Sequence, residues 1–130
     1  MTAMAFRICN ALIALGCLLA AESAWAHHSN AAVFDQAKRV TLTGTLTKVD
    51  WLNPHTEFAL EAKGDTGQAE SWLLESNSPS ALARRKVGKA DFQEAIGQTV
   101  TVEVNPARDG SRFMLLRRIT FADGKSVVTQ

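Results

Sequence analysis

Three histidines are the residues of this chain best equipped for chemistry, and they fall in two places: His27 and His28 in "AHHS", and His55 in "NPH". Just ahead of the first pair stands "ESAWA", with Ala24 and Ala26 at the positions where signal peptidases want small side chains. Cleavage between Ala26 and His27 would make a histidine the first residue, which differs chemically from any internal one. Its free α-amine and its ring Nδ1 can grip one metal ion together, closing a chelate ring without help from tertiary structure. One further imidazole completes a flat, T-shaped set of three nitrogens, which geometry and the stability order match best to Cu(II) among common divalent ions. The sequence therefore puts forward a copper ion as cofactor, with His27 and His55 as principal metal ligands and His28 as alternate or fourth. Asp50 or Glu57 could add an oxygen, or hold a ring through its other nitrogen.

The cleavage expectation rests on a three-part N-terminal pattern. "MTAMAFR" supplies Arg7, "ICNALIALGCLLAA" is an apolar run too short for an ordinary membrane span, and the Ala-x-Ala site follows. A cut after Ala24 would put Glu22 at a position that wants a small residue. "ALGC" is a poorer match to a lipoprotein site, because Ala14 stands where leucine is usual and the apolar run continues past Cys17. The division expected is a signal peptide over 1–26, a leader over 27–38 and one β domain over 39–130, in a periplasmic protein. Both cysteines, Cys9 and Cys17, lie in the removed part, so the exported chain would hold itself together by its core, without a disulfide. Setting aside Arg7 and Glu22 takes 14 basic and 13 acidic side chains to 13 and 12. So even a balance offers no electrostatic footprint for nucleic acid or an anionic membrane.

The elements that must position the histidines read mainly as strands. "RVTLTGTLTKVDWL" alternates at Val40, Leu42, Gly44 and Leu46, then resumes out of phase at Val49 and Trp51, as a long strand bent by a bulge between Gly44 and Lys48 would. "HTEFALEAK" places Phe58, Leu60 and Ala62 on one face; "GDTG" turns; "AESWLLES" sends Trp72 and Leu74 inward. "SPSALARRKVG" is helical, with Ser78 as cap, Pro79 in the first turn and Gly88 as stop, and "ADFQEAIG" forms a second short helical piece. "QTVTVEVNP" alternates at Val100, Val102 and Val104. In "RFMLLRRITF" both faces are partly apolar. Three strands, a helical connector and two more strands is the order of a five-stranded, OB-like Greek-key barrel; a small open β-sandwich is the competing arrangement.

"AHHS", "VTLTGTLTKVDWLNPH", "SPSALARRKVG", "RDGS" and "ITFADGK", in that order, resemble a family of small secreted proteobacterial proteins of unknown function. The resemblance spans essentially all of the chain after the signal, and implies a periplasmic OB-like domain without an established activity.

Other constellations are weaker. Trp51, Phe58 and Trp72 could offer a stacking surface. Arg108, Arg112, Arg117 and Arg118 could line an anion patch, and "ARRK", residues 83–86, reads as the wet face of a helix. Ser29, His28 and Asp35 make a triad on paper, but no nucleophile-elbow sequence surrounds Ser29. The alternative to copper binding is a metal-free adaptor whose groove, between Trp51, Phe58 and the "ESNSP" loop, holds a peptide, glycan or envelope protein. Neither reading makes the chain an enzyme.

Overall fold

The computed structural model describes residues 29–130, so His27, His28 and the expected signal and cleavage site lie outside the described residues. Six strands, β1 (Val40–Asp50), β2 (Glu57–Lys63), β3 (Ala69–Glu75), β4 (Thr99–Pro106), β5 (Phe113–Thr120) and β6 (Ser126–Val128), follow the order β3-β2-β1-β4-β5-β6. A parallel pairing of β3 with β5 closes the first five into a barrel. The protein is mainly β, with the small OB-like barrel that the element order implies, and no open sandwich forms.

Strand β1 serves both halves of the barrel. Its first part pairs with β4, from Val40↔Val104 to Thr45↔Thr99, and its second with β2, from Gly44↔Ala62 to Asp50↔Glu57. The expected bulge falls between Leu46 and Lys48, where the register with β2 slips. Gly44 sits where β1 is shared, and a Cβ there would overlap the Glu61 carbonyl, so only glycine allows the approach.

Between β3 and β4 run two short helices, α2 (Pro79–Arg84) and α3 (Lys89–Gln93), after a one-turn α1 (Asn30–Val33) ahead of the barrel. Ser78 caps α2 by accepting from Ala81 N–H at 3.3 Å. Gly88, however, is not the stop of α2: that helix ends at Arg84, the chain reverses at Lys86 with φ of 60°, and Gly88 becomes the N-cap of α3. Asp91 Oδ2 accepts from the Gly88 N–H at 2.9 Å, which is half of a capping box, since glycine has no side chain to return the bond. Helix α3 delivers Phe92, 0% exposed, into the barrel, where its ring meets Phe58 at 5.0 Å, Trp51 at 5.7 Å and Phe121 at 5.8 Å.

Two differences from the sequence expectation concern the second half. A sixth strand follows the "ADGK" turn, pairing Val127 with Ile119 at the edge of β5; three residues are too few for a periodic signal. In β5 the register with β4 slips so that Arg117 is the extra residue, Glu103 pairing with Arg118 and Val104 with Leu116. Met114, Leu116 and Ile119 therefore all point into the core, while Phe113 and Leu115 point outward. That outward pair is covered by Phe34 and Val33 of the leader, which pack there together with Ala107 just after β4. Among the described residues, no helix is long and apolar enough to cross a membrane.

Candidate metal centre on the outer face

His55 stands on the β1–β2 corner, which turns through a cis Asn53–Pro54 bond. The corner is fixed by backbone bonds to the end of β3: Ser76 N–H donates to Thr56 O at 2.8 Å, and Thr56 N–H to Asn77 O at 3.2 Å. Asn77 in turn donates to Thr129 O at 2.8 Å, tying in the chain's end. Thr56 and Ser76 are buried, so His55, next to Thr56, is carried on a rigid base even though its side chain is 43% exposed.

Its partner is Glu75. His55 Nδ1 lies 2.6 Å from Glu75 Oε1, and the Glu75 side chain is only 16% exposed. A carboxylate can only accept, so this contact places a proton on Nδ1, and in the neutral ring the lone pair then belongs to Nε2. A ring oriented by a carboxylate on one nitrogen, with the other free, is the usual preparation of a metal-binding histidine.

Strand register surrounds this pair with negative charge. Asp50 pairs with Glu57 and Glu57 with Glu75, all three on the outward face because Val49, Phe58 and Leu74 turn inward. Like charges on adjacent strands repel across about 5 Å. Lys48 offsets one of them: its Nζ lies 2.6 Å from Asp50 Oδ2. The hydrogen bond that Lys48 donates to Asp50, then the charge of Asp50, and the charge of Glu57 hold the Lys48 ammonium above its ordinary pKa. The row thus favours a cation beside His55.

The remaining candidates separate from this site. Asp50 and Glu57 line the row but do not hold the His55 ring; Glu75 does, and the sequence reading missed it. The available signal was an acidic residue at the outward phase closing β3, opposite Glu57. Phe58 is 1% exposed in the core, and Trp51 and Trp72 pack against that core, so the adaptor groove loses Phe58 as a wall and the three rings form no stacking platform. Three of the four arginines are engaged: Arg108 with the Ala31 carbonyl at 2.9 Å, Arg112 with Glu70 at 2.8 Å, Arg118 with Glu103 at 3.4 Å. Ser29 Oγ accepts from Ala31 N–H and Asp35 Oδ1 from Ala37 N–H, so both act as turn caps. Arg84, Arg85 and Lys86 are exposed as expected of a solvated face. Among the described residues, no three His, Cys, Asp or Glu side chains come together as a complete metal site, so a site at His55 needs a ligand from elsewhere.

Fold and site together define a small OB-like barrel that carries a carboxylate-oriented histidine on its β1–β2 loop, in the loop region through which such barrels commonly bind ligands. The chain belongs to the family of unknown function DUF6152, whose profile matches residues 15–116. No curated protein and no solved structure matches the chain.

Proposed function

We propose that the protein is a periplasmic copper-binding protein, exported by its N-terminal signal and cut between Ala26 and His27. Cu(II) is then held by the amine and Nδ1 of His27 and by Nε2 of His55, with His28 as alternate or fourth ligand. The observation that carries this reading is the 2.6 Å contact between His55 Nδ1 and Glu75 Oε1, which orients an accessible ring so that Nε2 is the nitrogen offered to a metal. The row of Asp50, Glu57 and Glu75 supports it, since a bound cation would relieve their mutual repulsion. Nitrogen ligation of this kind selects copper over the harder ions that a carboxylate site alone would take. The proposal is one of binding, not of catalysis.

The test is Cu(II) titration of protein that begins at His27, with the start verified by mass spectrometry. His55→Ala is expected to weaken binding by about 10-fold or more, and one extra residue ahead of His27 is expected to abolish the chelate. A natural mature chain that begins elsewhere, or an affinity that neither change alters, overturns the reading.

A further inference from the structure

Strand β6 ends the row of strands, and its far edge is open. Phe121 N–H donates to Lys125 O at 2.9 Å and Thr129 N–H to Arg117 O at 2.9 Å, so the odd-numbered residues here turn their backbone toward β5. Ser126 and Val128, which alternate with them, direct N–H and C=O the other way. Among the described residues β6 pairs with β5 alone, and of those four groups only the Val128 carbonyl has a partner, Arg85 Nη1 at 3.2 Å. Such an edge is a template for another strand.

The space beside this edge is shaped by the end of α2. A groove of about 470 Å³ lies between β6 and residues 85–87, with buried Val87 and Val127 at its base and exposed Arg85, Lys86 and Lys125 around it. Val87 N–H donates to Leu82 O and Lys86 N–H to Ala83 O, the paired bonds that close a helix over a left-handed residue. That residue is usually glycine; here it is Lys86, with φ of 60°. The turn therefore places an ammonium at the groove where the backbone alone favours no side chain. Lys125 is held by Asp91 at 2.6 Å, but among the described residues Arg85 and Lys86 form no ion pair. Two unbonded N–H groups and two unpaired cations around one apolar groove favour an occupant that brings carboxylates and backbone acceptors.

We propose that this groove is a docking site for an extended acidic peptide segment of another protein, which adds as a strand along β6 and sets its carboxylates against Arg85 and Lys86. Main-chain bonds to Ser126 and Val128 supply the register, and the two basic side chains supply the preference for acidic sequence. Arg85 changes partner as the peptide enters: its guanidinium leaves the Val128 carbonyl, which accepts a peptide N–H instead, and takes up a carboxylate. Until then it covers an acceptor of the open edge, a safeguard against indiscriminate pairing. None of these residues belongs to the His55 site, and the proposal does not rest on the copper reading.

The probe is a short peptide alternating valine and glutamate, titrated into the protein. Binding is expected to slow amide exchange at Ser126 and Val128, while β2 keeps its own rates. Lys86→Gly suits the left-handed turn better than lysine and keeps the fold. It is expected to weaken binding by about 2-fold to 5-fold, as is Arg85→Gln, and the double variant by about 10-fold. A peptide alternating valine and lysine, and the acidic peptide with its backbone nitrogens methylated, should each bind at least about 10-fold more weakly. No binding, no slowing at Ser126 and Val128, equal affinity for the methylated or the lysine peptide, or unchanged affinity in the double variant overturns the proposal. Self-association that protects the same amides without peptide also overturns it, by making a second copy of the chain the occupant.

Discussion

Strand β5 has two apolar faces, and they serve different ends. The inner one, Met114, Leu116 and Ile119, belongs to the closed core with Leu46, Leu60 and Leu74 and is plugged by Phe92. The outer one, Phe113 and Leu115, would be exposed on a bare barrel, and is covered only because Phe34 and Val33 of the leader lie over it. The barrel does not need the second cluster to close. An apolar outer face is justified by what it holds, and here it holds the segment that precedes the barrel.

This division orders the expected consequences of mutation. Phe92→Ala empties the middle of an aromatic set contributed by the residue after β1, by β2, by α3 and by the segment after β5, and is expected to cost about 3–5 kcal/mol, read by urea or thermal unfolding. Phe34→Ala removes a side chain just as buried, but the leader can undock without opening the core. The loss should therefore be about 1–3 kcal/mol, with exchange quickening around residues 31–38 rather than in the strands. If both changes unfold the protein equally, the two clusters are one cooperative unit and the comparison fails.

Glu75→Gln sharpens the same contrast on its functional side. It keeps the shape and changes stability by less than about 1 kcal/mol, yet should weaken Cu(II) binding by about 10-fold to 100-fold because the ring loses its carboxylate orienter. The smallest effect belongs to the inner region's rim. Lys125 Nζ lies 2.6 Å from Asp91 Oδ1, and the hydrogen bond from Lys125, then the Gly88 N–H, hold the Asp91 carboxyl below its usual value near 3.8. A depressed carboxyl contributes stability that is present above that usual value and is lost as pH falls through the folded one. Asp91→Asn should therefore cost under about 1 kcal/mol at neutral pH and nothing once the folded carboxyl is itself protonated, measured by unfolding across an acid series.

Much of the barrel was legible because its signals are local. The alternation of Val100, Val102 and Val104, the phase break after Leu46, and Ser78 ahead of Pro79 each state a strand, a bulge or a cap within a few residues. Gly88 misled because a glycine after a basic stretch looks like a helix end, whereas a single left-handed residue, Lys86, had already turned the chain. Of the candidate site, His55 was visible by residue type, but Glu75 was not. Their meeting depends on the register that sets Glu57 against Glu75 across a hairpin, and the outward acidic phase closing β3 becomes a signal only once that register is known. The path of the leader was hidden for the same reason. Phe34 fits a socket formed by Ala107, Phe113 and Leu115, far along the chain.

The measurement that bears most directly on the central claim is the electron paramagnetic resonance spectrum of the Cu(II)-loaded protein beginning at His27, with nitrogen couplings resolved. The account predicts three coupled nitrogens in the wild type and two in His55→Ala. The same nitrogen count in both would contradict it.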